Sequence, residues 1–142
     1  MTTLFTNGNL VDVIGQTVLT GGSILVENGM IKEVGTSIAA PDGTKVVDLG
    51  GRTVLPGLFN CHVHMCSDAG IGAKETISDA AVTIRALKNL KTLLNSGVTY
   101  IRDAGAPKYI DVDLHAAQLK GEILAPEMQT ACRCICMTGG HG

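Results

Sequence analysis

Tryptophan is absent from this 142-residue chain, and there are only two tyrosines and two phenylalanines. Few rings are therefore available to stack on bases. No basic run or stripe is present to follow a phosphate backbone, and 11 Lys+Arg stand against 13 Asp+Glu. A nucleic-acid partner is not expected. No apolar stretch approaches the ~20 residues of a membrane helix, so no membrane partner is expected either. Met1 to Leu10 lacks the cationic region followed by an apolar run that marks a secretory leader. The expected location is cytoplasmic. A disulfide framework is also missing. Cys61, Cys66, Cys132, Cys134 and Cys136 are odd in number, and three of them crowd into one short segment. That pattern fits a reducing compartment.

What the chain does contain is aliphatic residues and 18 glycines. That mixture suits a buried sheet with tight turns, and the length can bury a real core. Residues 4–55 read as short strands. Leu4 to Val13 is the first. Ser23 to Val26 and Met30 to Val34 flank Asn28-Gly29, a pair that tolerates the positive φ angles of a tight hairpin. Lys45 to Asp48 and Thr53 to Leu55 follow around Gly50-Gly51. The expectation is an antiparallel β unit, half of a sandwich.

Pro56-Gly57 marks a boundary, after which the pattern changes. Leu58 to Met65 is an apolar strand, and residues 66–75 are a loop. Thr76 to Ser96 is the clearest helix, with Thr76 as cap and Asp79 in a capping-box position. Its predicted buried stripe is Ile77, Ala80, Ile84, Leu87, Leu90 and Leu94. Gly97 stops it. Val98 to Arg102 is a second strand, Val112 to Leu119 a shorter helix, and Met128 to Met137 a third strand. Strand–helix–strand–helix–strand implies parallel strands with crossover helices. Three such strands leave sheet edges uncovered. The chain is therefore expected to be a fragment, or to complete its fold with another polypeptide.

His62-Val63-His64 is the sharpest chemical feature. In a strand, residues two apart share a face, so the two imidazoles can converge on one metal at ~2.0–2.1 Å per nitrogen. On spacing alone, two ordinary surface histidines explain the motif equally well. Two ligands are also fewer than zinc takes. Cys132, Cys134 and Cys136 would lie on one face of the third strand. One strand cannot wrap a tetrahedral ion, so packing as small buried hydrophobes is the favoured reading. His115 reads as a surface residue.

The segment Val54-Leu55-Pro56-Gly57-Leu58-Phe59-Asn60-Cys61-His62-Val63-His64 resembles the signature of the amidohydrolase superfamily. There, Pro-Gly, two hydrophobic residues and Asp lead into His-x-His. Gly22 to Val34 is similar to the small sandwich domain of that superfamily. Thr99 to Gly105 and Thr138 to Gly142 resemble its branch of prolidase-like dipeptidases, arginine/lysine carboxypeptidases and imidazolonepropionase. The resemblance implies an α/β fold: residues 56–142 as strands 1–3 of a (β/α)8 TIM barrel, preceded by a partial β-sandwich over residues 1–55. It implies that His62 and His64 bind a divalent metal, zinc, as one or two ions. A lysine, two further histidines and an aspartate base would come from segments beyond this sequence. No catalytic residue is assigned within it. Asn60 departs from the family's usual Asp, which implies an altered supporting hydrogen bond rather than lost metal binding. His141, between glycines that allow close backbone approach, is the candidate substrate-binding residue.

The implied activity is hydrolysis of amide or peptide-like C–N bonds in a small-molecule or dipeptide-like substrate. An activated water would attack a metal-polarised carbonyl. The implied partner is the rest of the barrel, from the same gene product or a second chain, in a homo-oligomer when complete. The isolated chain is expected to be inactive. A non-enzymatic module binding metal or thiols through its His and Cys residues is the alternative.

Overall fold

Asn28 and Gly29 both take positive φ, 51° and 80°. They form the tight turn that their sequence suggests, joining β2 (Thr17–Glu27) to β3 (Met30–Gly35) as an antiparallel hairpin. The computed structural model describes residues 1–68 and 77–140. The chain divides into two units, Met1–Pro56 and Gly57–Gly142.

In the first unit, β1 (Thr2–Asp12) pairs antiparallel with β2. A turn not anticipated from the sequence joins them. The Asp12 carboxylate accepts from the backbone N–H groups of Ile14 and Gly15 at 3.0 and 2.9 Å, which lets β2 begin at Thr17 rather than Ser23. The wholly antiparallel expectation needs correction, because β4 (Lys45–Asp48) and β5 (Thr53–Val54) both run parallel to β1. The order is β3-β2-β1-β4, with β5 also on β1. A chain leaving β3 must cross the sheet to reach the free edge of β1, and it arrives running in the same direction. Leu4, Leu10 and Leu25 are buried, whereas Ile14, Met30, Ile31 and Val34 remain exposed.

The second unit holds a parallel sheet in the order β6-β7-β8. Its elements are β6 (Leu58–Val63), α1 (Asp79–Asn95), β7 (Val98–Asp103), α2 (Ile110–Leu119) and β8 (Glu127–Gln129). A mixed α/β architecture is therefore observed. A methyl group at Gly57 would collide with the Thr99 side chain, so the glycine of Pro-Gly is what lets β6 start close beside β7. Ser78 caps α1 by accepting from the Ala81 N–H at 3.2 Å; the expected cap, Thr76, lies outside the described residues. Gly97, at φ 89°, ends the helix as expected.

The buried stripe of α1 differs in phase from the expected one. Ala86 and Leu90 are fully buried, with Val82 and Leu93 packed beside them, while Ile84 is 68% exposed. A 3.6-residue period describes the repeat, but α1 carries apolar residues on more than one face. Close approach to the sheet selects small Ala86 over bulkier Ile84. The core of this unit joins Leu90, Ile101, Met128, Met65, Cys66, Ala106, Ile110 and Leu114. Each fully buried large side chain contributes about 1.5–3 kcal/mol.

The third strand is also much shorter than Met128 to Met137. After Gln129 the backbone leaves the ladder, and Cys132 adopts φ 61°. Its N–H donates to the Asp111 carboxylate at 2.8 Å, and its carbonyl accepts from the Ala106 N–H at 2.8 Å. The cysteine comb expected on one strand face therefore does not form. No described helix is long and apolar enough to cross a membrane.

Candidate metal centre

β6 ends at Val63 rather than Met65, so His62 lies on the strand and His64 is the first residue beyond it. Beyond Val63 the hydrogen bonds go elsewhere. The Ala104 N–H donates to the Val63 carbonyl at 2.7 Å, and the Met65 N–H donates to the Asp103 carboxylate at 2.8 Å. The two imidazoles still lie side by side, edge to face, with ring centroids 5.3 Å apart and planes at 76°. An ion held at ~2.1 Å by one ring nitrogen sits about 3.2 Å from that ring's centre, so two rings at a tetrahedral angle lie about 5.2 Å apart. The observed separation fits a shared ion. Both residues are exposed, which leaves room for further ligands. Among the described residues, no group of three or more His, Cys, Asp or Glu could hold a metal.

Several residues place these rings. The Asn60 side-chain oxygen accepts from the His62 N–H at 3.2 Å, so the residue that departs from the superfamily pattern supports the backbone of one histidine. His64 Nδ1 lies 3.2 Å from the Gly105 carbonyl oxygen. A carbonyl can only accept, so a hydrogen bond at this contact places the proton on Nδ1. Asp103, 0% exposed, ends β7 and accepts from the N–H groups of both Met65 and Gly105 at 2.8 Å.

Two contributors were not anticipated from the sequence. Asn89 on α1 donates to the carbonyls of Met65 and Ser67, both at 2.9 Å, and shapes the loop after His64. An asparagine interrupting a buried helix face was the available signal. Arg102 Nε donates to the Cys61 carbonyl at 2.8 Å, a contact across the two strands that nothing in the local sequence announces.

The cysteines and other histidines lie in varied settings. Cys66 is buried in the core, and its thiol is pushed up to about 12, first by burial and then by the charges of Asp103 and Asp111. It stays protonated and unreactive at neutral pH. Cys61 and Cys134 are exposed, and the Cys134 thiol reaches the Ala104 carbonyl at 3.8 Å. His115, expected at the surface, is half-buried on α2. His141, the substrate-binding candidate, lies outside the described residues.

Comparison with known proteins follows the same segment. Residues 53–135 match the model of the Amidohydrolase family. A dihydroorotase from Pelobacter propionicus is 34% identical over 139 residues, covering 88% of this chain and 32% of the relative. An imidazolonepropionase from Deinococcus radiodurans is 47% identical over 47 residues, 33% of this chain and 12% of the relative. The crystal structure of a Xaa-Pro dipeptidase with methionine bound in its active site superposes with a TM-score of 0.87 at 28% identity, covering 99% of this chain and 36% of that one. The chain thus spans about a third of the length of such relatives.

Proposed function

Because the chain belongs to the amidohydrolase family, we propose that it supplies the first part of a metal-dependent hydrolase of C–N bonds, with His62 and His64 as two of its metal ligands. In this reading residues 56–142 are the opening strands of a (β/α)8 barrel and residues 1–55 are part of a β-sandwich. The observation that carries the proposal is the closeness of the two imidazoles, 5.3 Å between centroids, at the carboxyl end of the first parallel strand. Active sites of (β/α)8 enzymes form at that end.

A bound divalent cation, zinc in this proposal, supplies Lewis acidity toward a carbonyl and lowers the pKa of a water. The chain's own residues do the positioning. Asn60 holds the backbone of His62, and Gly105 orients the ring of His64. The remaining ligands and the general base come from elsewhere in the protein, which in this proposal is a homo-oligomer when complete. Relatives named dihydroorotase, imidazolonepropionase and Xaa-Pro dipeptidase are consistent with hydrolysis of a C–N bond in a small molecule or dipeptide. That is the proposed substrate class. His141 is proposed to contact the substrate. The alternative, a non-enzymatic module binding metal or thiols through its His and Cys residues, is the less favoured reading, because Cys132, Cys134 and Cys136 do not share a strand face.

The test uses the full-length gene product. Its metal content and its hydrolysis of dihydroorotate and Xaa-Pro dipeptides are measured beside His62→Ala and His64→Ala. Each variant is expected to lose bound zinc and to fall to background hydrolysis. Wild-type metal content and turnover in both variants would exclude the assignment.

A further inference from the structure

Asp103 is a carboxylate with no solvent exposure, and among the described residues of its unit the other buried carboxylate is Asp111. Its two oxygens accept from Met65 and Gly105, 38 and 2 residues away in sequence. Those two residues bracket His64. Met65 follows it directly, and Gly105 presents the carbonyl that meets its Nδ1 at 3.2 Å. The Ala104 N–H adds a third tie, to the Val63 carbonyl just before His64. Gly105 takes φ 142°, open to glycine and strained for other residues, so its carbonyl direction depends on what holds the peptide.

From this arrangement we infer that Asp103 is a positioning residue that selects the Nδ1–H tautomer of His64. Its grip on the Gly105 N–H orients that residue, whose carbonyl in turn accepts the imidazole proton. Its grip on the Met65 N–H fixes the backbone that carries the ring. An unconstrained imidazole in water favours the Nε2–H form, which would turn the lone pair away from an ion. A second partner of this kind typically adds 10–100-fold to metal affinity. The inference deepens the metal-ligand proposal, but its primary readout needs no metal.

Asp111 provides the internal control. It is equally buried and also accepts a backbone N–H, that of Cys132, whereas the N–H groups of Met65 and Gly105 go to Asp103. A merely structural role for buried aspartates predicts the same outcome for both. The test labels the full, metal-free chain with 15N-histidine and reads the two ring nitrogens by NMR at a pH above imidazole titration. Wild type and Asp111→Asn should show His64 protonated on Nδ1, and Asp103→Asn should shift it toward Nε2–H. Zinc titration of the same samples should show about 10–100-fold weaker binding for Asp103→Asn. If Asp103→Asn does not fold, Asp103→Ser takes its place with the same expectations.

An Nε2–H wild-type His64, an unchanged tautomer in the Asp103 variant, or an equal shift in Asp111→Asn would each overturn the inference. Zinc binding through His62 and His64 could survive any of those results. Conversely, the expected tautomer shift without zinc binding would support the inference and remove the metal proposal instead.

Discussion

Asp12, Asp48, Asp103 and Asp111 each hold backbone N–H groups, and they do so in two different ways. In the first unit, Asp12 accepts from Ile14 and Gly15, and Asp48 accepts from Gly50 and from the Asn7 side chain, all at exposed positions. Apart from Asn7, each partner lies two or three residues away. In the second unit, Asp103 and Asp111 are fully buried and reach 38 and 21 residues along the chain. The acceptor chemistry is identical. What differs is that water can replace Asp12, whereas nothing can replace Asp103 in a low-dielectric interior. The two histidines lie where the buried kind of support is found.

The largest effect that follows is on stability. Asp103→Ala would orphan two buried N–H donors at about 1–3 kcal/mol each, so a loss of about 2–6 kcal/mol is expected. Asp12→Ala should cost under about 1 kcal/mol, because solvent satisfies the freed groups. Hydrogen exchange of β7 amides for the first variant and β1 amides for the second measures both. Equal costs would erase the distinction between the two kinds of support.

Two glycines sharpen the same contrast at smaller size. Gly29, at φ 80° with open space around it, is needed for backbone conformation, and Gly29→Ala should cost about 1–2 kcal/mol. Gly57 has no such φ but is closed off by Thr99, and overpacking there should cost about 1–3 kcal/mol. Adding Thr99→Ala should rescue much of the Gly57→Ala loss, read as the shift in denaturant midpoint. No second-site truncation should rescue Gly29→Ala, although Gly29→Asn should be tolerated.

Features built from neighbouring residues were legible in the sequence. The Asn28-Gly29 turn, the Gly97 helix stop and the closeness of His62 and His64 each depend on contacts within a few positions. The parallel direction of β4 and β5 was not legible, because strand order rather than strand pattern decides it. The phase of α1 was hidden by Ile84 and Leu87, which are as apolar as the residues that face the sheet. The early end of β8 depends on Asp111 meeting Cys132 across 21 residues. Alternation along the strand contains no trace of that contact. Asp103 could be placed at a strand end, but its two N–H partners appear only once β6 and β7 are side by side.

The smallest expected effects concern pH, and they point in opposite directions in the two units. Asp48 is held below the usual carboxylate range, first by the Gly50 N–H and then by Asn7. A carboxylate with a lowered folded-state pKa adds stability that is present above its unfolded value of 3.8 and lost as pH falls through the folded value. Cys66 runs the other way. Its thiol is raised from 9.0 to about 12, so the folded state keeps a proton that the unfolded chain gives up between those values. Stability from Cys66 is therefore intact below pH 9.0 and falls as pH rises toward about 12. In the metal-free chain, Asp48→Asn should flatten the acid limb seen by β1 amides, and Cys66→Ala should flatten the alkaline limb seen by β7 amides. The same shift makes Cys66 slow to alkylate near neutral pH while exposed Cys61 reacts, because the thiolate is the nucleophile. Alkylation of Cys66 at the rate of Cys61 would mean that its pocket opens, and with it the loop that Asp103 holds beside His64.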